Sequence, residues 1–276
     1  MSPRPFLSPG GAPWLDLRAE ASARGPVPLP EAHLEPGEHI ALVASWRARM
    51  ASEYVSARVF AAMIPQAMAA GISSADTLAL AKMAEEEIDH AIRCARVVTS
   101  LGEQPVTELP ALPRVPTHDD ASPLEAFLRN VLDVSCISET VAVALVGSER
   151  ELAGTKELGM ELERILADEV GHARFGWRLV EAIVPSLPKS TRARLGAFLA
   201  VTFRERLGRF ASFLLVPDAS RAAMSFGAPA GPGTFRVFYE TLEAVSIPRL
   251  ESFGIPARRA FDAALDDISR GALHAA

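Results

Sequence analysis

From His39 onward, apolar residues recur at three- and four-residue intervals almost to the C-terminus. Strand-like alternation and hairpin turn pairs are nearly absent. The pattern predicts four long helices over 38–70, 74–100, 121–150 and 155–184, then two further helical stretches over 189–215 and 234–270. The punctuation agrees. Gly71 stops the first helix, Ser73 or Ser74 caps the second, Gly102 closes it, Pro123 falls in the first turn of the third, and Pro185 follows the fourth. A loop over 226–233, rich in Gly and Pro, separates the last two stretches. Pro248 and the Gly254–Pro256 turn should kink or break the final one.

The first and second helices are joined by a short link, as are the third and fourth, which favours antiparallel neighbours. The link between the second and third holds Pro105, Pro110, Pro113 and Pro116. Repeated proline forbids helix there and favours an extended path that can return the chain along the bundle. The expected fold is therefore all-α: a four-helix bundle over 38–184 with one long crossover, and accessory helices over 185–276 packed on it as one domain. Residues 1–37, rich in Pro, Gly and Ala, read as an irregular arm. Trp14, Leu15 and Leu17 could dock it on the body; a mobile tail is the alternative.

Composition narrows the function. A chain of 276 residues, 49% hydrophobic, can bury a core without covalent staples. With 28 basic and 34 acidic residues the net charge is −6, which argues against a nucleic-acid partner. The two cysteines, Cys94 and Cys136, form no C-x-x-C, excluding a disulfide scaffold, a zinc ribbon and a thioredoxin-like pair. No signal-peptide core and no run of 18 or more apolar residues is seen, so no membrane span and a cytoplasmic, reducing location are expected.

The candidate chemistry sits inside the apolar stripes. Glu87 and His90 form a Glu-x-x-His on the second helix, and Glu169 and His172 form another on the fourth. Positions i and i+3 share a face, so each pair can grip one metal ion. The second helix reads Leu80, Met83, Glu87, His90, Cys94, Val97 along that face, and the fourth reads Leu158, Leu162, Ile165, Glu169, His172, Gly176, Leu179. The first carries Glu53 within Trp46, Met50, Ala57, Phe60 and Ile64. The third carries Glu139 within Leu128, Leu132, Cys136, Val143 and Val146. Ionised carboxylates facing a core are costly without a counter-charge, so these acids call for a cation. Four inward carboxylates and two imidazoles are the ligand set of a dinuclear carboxylate site. Counted from the helix ends, at about 1.5 Å per residue, all six fall within roughly one turn of the same depth. The halves also repeat: the segments from Glu87 and Glu169 share Glu, His, Ala, Arg and a final Val in register.

These residues make the chain resemble the ferritin-like, ribonucleotide-reductase-like diiron carboxylate superfamily, oxygenase or oxidase type. The motif Glu … Glu-x-x-His … Glu … Glu-x-x-His falls on Glu53, Glu87, His90, Glu139, Glu169 and His172, and covers 38–184. The resemblance implies a ferritin-like bundle holding two Fe ions, with Mn or a mixed Mn/Fe pair as variants. It implies that Glu87 and Glu139 bridge or move between the metals. Glu53 with His90, and Glu169 with His172, would be terminal ligands. Glu86 and Asp168, immediately before the motif glutamates, would hold the opposite histidines. Two departures stand out. The residue before each histidine is Asp89 or Gly171 where many oxygenases have Arg, so an Arg shell is absent or rebuilt from Arg93 or Arg174. Ile165 occupies the position of the extra histidine found in some N-oxygenases.

The implied function is an O2-dependent non-haem diiron oxygenase or oxidase acting on a small organic substrate, with O2 and an electron donor as partners and homodimerisation open. The alternatives are a ferroxidase or iron-storage or peroxide-detoxifying protein, and a metal-binding or metal-free structural bundle. Glu85 reads as a solvated acid, and His33, His39, His118 and His274 as ordinary arm or loop histidines. Cys94 and Cys136 read as core fillers. Tyr54 points away from the Glu53 stripe. Glu53 and Glu139 are also open to reading as surface acids on misphased helices. Gly171 and Gly176 suggest close helix packing or an opened pocket.

Overall fold

The structure, a computed structural model, describes residues 14–110 and 115–275. Helix α1 spans Arg18–Arg24, α2 Pro36–Ala69, α3 Ser74–Ser100, α4 Pro123–Val131, α5 Glu139–Leu152 and α6 Lys156–Ile183. They are followed by α7 Lys189–Ala211, α8 Arg221–Ser225, α9 Pro232–Thr241, α10 Ile247–Ser252 and α11 Ala257–Ala275. Two π-helical segments, Leu132–Ser138 and Leu242–Ser246, join α4 to α5 and α9 to α10. The fold is an all-α helical bundle; strands β1 (Trp14–Asp16) and β2 (Val106–Glu108) make one small antiparallel sheet.

The helix ends form where local chemistry places them. Ser73 Oγ accepts the Asp76 N–H at 3.1 Å and caps α3. Gly71 takes a positive φ of 70°, which lets the Ile72 N–H reach back to the Ala67 carbonyl at 3.0 Å. Glu35 and Glu38 form a reciprocal capping box before α2, with Pro36 at the first helical position.

Two compact units emerge: Met1–Pro116 with Glu149–Ile165 and Ala219–Pro229, and Thr117–Ser148 with Leu166–Asp218 and Ala230–Ala276. In the first, α2 packs along α3, and its core includes Met50, Phe60, Met63, Leu80 and Val98. In the second, α7 packs along α11, with Phe203 edge-on to Phe261 at 5.3 Å. Ring stacking of Phe210 on Phe238, at 4.1 Å, ties in α9.

The arm docks through Leu15 and Leu17, one of the two outcomes the sequence leaves open, and is more regular than the irregular segment expected. Residues 1–13 lie outside the described residues, but from Trp14 the chain is built. β1 pairs with β2 in the Pro-rich crossover, and the Leu17 N–H donates to the Pro105 carbonyl at 3.1 Å. Leu15, Leu17, Ala21 and Val27 are buried, and the Val27 N–H donates to Ser100 Oγ at 2.8 Å. A three-residue strand has too short a pattern to register, and its partner lies about ninety residues away, so no local period could report the pairing.

The third predicted helix is continuous from 123 to 152 but not uniform. The Glu139 N–H donates to the Val134 carbonyl, a five-residue step that inserts one extra residue into the turn. That residue rotates the remainder of the helix by about 100°, so the stripe from Leu128 to Val146 is not one straight face, and Val143 is only half-buried. The same 30-residue segment has a mean hydropathy of 1.6 in its most apolar window, enough to cross a membrane by length and composition, although it holds no unbroken run of 18 apolar residues. Half of that window is buried in the fold, and the segment carries Glu125, Arg129, Asn130 and Glu139, all buried.

Candidate metal centre

Each candidate ligand stands where its helix turns an apolar stripe inward. Every member of the stripes around Glu87–His90 and Glu169–His172 is buried, from Leu80 to Val97 on α3 and from Leu158 to Leu179 on α6. Helix α2 carries Glu53, half-buried between the buried Met50 and Ala57. Glu139 opens α5 directly after the first π turn. Glu87, His90, Glu169 and His172 are each at most 3% exposed and Glu139 is 7% exposed.

The structure brings these residues into two groups. Glu53, Glu87, His90 and Glu169 each offer one ligand atom, all within 4.8 Å of one another. Glu87, Glu139, Glu169 and His172 do the same. Within the helical pairs, His90 Nδ1 stands 3.9 Å from Glu87 Oε2, and His172 Nδ1 3.4 Å from Glu169 Oε2. Ligand atoms about 2.1 Å from a common ion are separated by roughly 3.0–3.9 Å as their angle opens from a right angle, so both pairs suit a shared ion. None of these four atoms makes a hydrogen bond, although each side chain has further interactions. The donor set is carboxylate oxygen and imidazole nitrogen, which suits Fe, Mn or Zn. This buried Glu/His cluster could hold a metal ion.

Glu87 and Glu169 are the two members common to both groups. The resemblance had assigned the shared position to Glu139 in place of Glu169. The reason lies in spacing: a Glu-x-x-His on each of α3 and α6 puts both motif glutamates at the centre. Glu53 and Glu139, each lacking a helical His partner, fall one to each group.

The expected outer residues are placed less simply. Glu86 and Asp168 are half-buried and belong to neither group; Glu86 lies 2.6 Å from Lys82. Arg93 donates to Asp89 and to Glu161, both at 2.7 Å. Asp89 also pairs with Arg24, and Arg24 first, then Arg93, hold its carboxyl below the usual range against the burial that raises it. The chain thus uses Asp89 to anchor α1. Arg174 is exposed. Glu85 and Tyr54 are exposed as expected. His118 sits in a strained backbone position, φ 52°, with Nε2 3.1 Å from Asn130 Oδ1; burial holds it below the usual histidine range. The side chain of His274 lies outside the described residues. Burial pushes the thiols of Cys94 and Cys136 up.

One residue near the site escaped the sequence reading. Arg49 stands one turn before Glu53, donates to Glu149 Oε2 at 2.5 Å, and lies 4.9 Å over the Trp46 ring. Its signal was present: an arginine beside Trp46 and Met50, one turn from an inward acid, needs a buried counter-charge.

No known protein family, no curated protein and no solved structure matches the chain.

Proposed function

We propose that the protein is an O2-dependent non-haem diiron oxygenase or oxidase of ferritin-like type, acting on a small organic substrate. The observation that carries this reading is the pair of four-residue groups sharing Glu87 and Glu169. Each group has one histidine, one carboxylate of its own and two shared carboxylates. The four carboxylates match the charge of two divalent cations, so a buried dinuclear centre would be neutral where a single divalent ion would leave two negative charges buried. A pair of irons supplies two electrons for the reduction of dioxygen.

The chain's own residues would do the rest. His90 and Glu53 would hold one ion, His172 and Glu139 the other, and Glu87 and Glu169 would fix their separation. Met50, Cys94 and Ile165 line the same helix faces within about a turn of these ligands, and Leu80 and Leu162 about two turns away, giving the apolar, water-poor setting that protects a reactive intermediate. An external electron donor would restore the reduced metals.

The test is an anaerobic Fe(II) titration followed by mixing with O2. The expected result is two irons per chain and a transient near-ultraviolet or visible band, with a monomer- or dimer-sized particle by size exclusion. Zero or one iron in folded protein would overturn the diiron reading. Assembly into a large cage would replace the enzyme by an iron-storage protein.

A further inference from the structure

The two π turns lie in the second unit and pack against each other. Each carries one completely buried serine, Ser135 and Ser246, and neither hydroxyl has a hydrogen-bond partner. Hydroxyls nearby do find carbonyls: Thr241 Oγ1 donates to Val237 at 2.7 Å and Ser138 Oγ to Asp133 at 2.9 Å. A buried hydroxyl with nothing to bond is costly, and water or a ligand is the usual remedy.

The charged side chains of the same turns are neutralised elsewhere. Asp133 accepts from Arg206 at 2.7 and 3.1 Å, and Glu243 accepts from Arg258 at 2.6 and 2.8 Å. What remains buried on the turns is apolar (Leu132, Cys136, Ile137, Leu242) plus the two hydroxyls. Ser135 also lies against Gly176, where an added Cβ would stand 2.5 Å from the Ser135 Cβ. Ser135 precedes Glu139 by one turn and Gly176 follows His172 by one turn. Along their helices, the Ser135 and Gly176 backbones therefore stand about one helical pitch, roughly 5–6 Å, from Glu139 and His172 respectively.

We propose that Ser135 and Ser246 form a subsite beside Glu139 and His172 for the neutral hydrogen-bonding group, hydroxyl or carbonyl, of an otherwise apolar small molecule. A water occupies it when that molecule is absent. The substrate assignment rests on the oxygenase reading; the subsite itself needs no iron.

The test is a double-mutant cycle on the full-length protein, by thermal unfolding without metal and with Zn(II), joined to high-resolution crystallography. Ser135→Ala and Ser246→Ala should each lower the melting temperature by about 2–4 °C. The double variant should fall no further, because either loss releases the shared water. Wild-type crystals should show a water within hydrogen-bonding distance of both Oγ atoms, replaced by acetone on soaking and not by acetate. Unchanged or raised melting temperatures, additive losses, or acetate in place of acetone would overturn the subsite. If the serines uncouple while the titration gives two irons, the subsite falls and the diiron reading stands. If the serines couple and no metal binds, the subsite stands without the oxygenase.

Discussion

Arg49 Nη2 donates to Glu149 Oε2 at 2.5 Å, while Arg49 Nη1 is buried and makes no hydrogen bond. The guanidinium is held above its ordinary range, chiefly by Glu149 and with Cys94 and Glu53 also contributing, against the burial that lowers it. The pair joins α2 to α5 one turn from Glu53.

Breaking such a pair leaves one enclosed charge without its partner. Both side chains are mostly covered, 20% and 11% exposed. Arg49→Ala should therefore destabilise by about 2–4 kcal/mol in urea titrations, and Arg49→Met with Glu149→Leu should recover much of it. A loss under 0.5 kcal/mol would make the pair a surface contact.

If the centre is dinuclear as proposed, the two groups predict which carboxylates matter to both ions. Glu87→Gln or Glu169→Gln should abolish tight binding of both ions. Glu53→Gln or Glu139→Gln should leave about one ion per chain, read by metal analysis after gel filtration. If Glu139→Gln loses both ions and Glu169→Gln keeps one, the shared role belongs to Glu139.

Metal removal should lower stability, since a ligand binding only the folded state adds about 2.7 kcal/mol at a hundred-fold excess over Kd. For a chain of this size that is roughly 5–11 °C in melting temperature. Equal melting curves with and without metal would contradict a buried four-carboxylate site.

Two mid-helix glycines on α6 should behave oppositely. Gly171 is exposed with open space around it, so Gly171→Ala should stabilise by about 0.5–1 kcal/mol. Gly176→Ala would force a Cβ within 2.5 Å of Ser135 and 3.1 Å of the Cys136 nitrogen, costing about 1–3 kcal/mol. Chemical denaturation of the two variants checks the sign of each.

Glu125 gives a pH signature away from the candidate metal centre. Arg194 first, then Arg129, hold its carboxyl below the usual range against the burial that raises it. A folded pKa below the unfolded one adds stability that is fully present above the unfolded value, about 4.3, and is lost as pH falls through the folded value. Wild type should lose its advantage over Glu125→Gln only below about pH 4, and a pH-independent difference would contradict the ion-pair origin.

The sequence by itself determined the helical class, the main helix positions and the inward faces. These are local facts, because a 3.6-residue period, a capping serine or a helix-stopping glycine is readable within a few residues. The stripes from Leu80 to Val97 and from Leu158 to Leu179 are buried throughout, with their acids and histidines inside them. Tertiary structure alone decided three things. The arm's strand exists only because β2 lies beside it. Arg49 owes its place to Glu149, a hundred residues on. The π turn before Glu139 breaks the α period, so a pattern read at 3.6 residues could not foresee it, nor that Glu169 would take the shared position. Period and propensity act along the chain, whereas the meeting of side chains from separate helices is fixed only by packing.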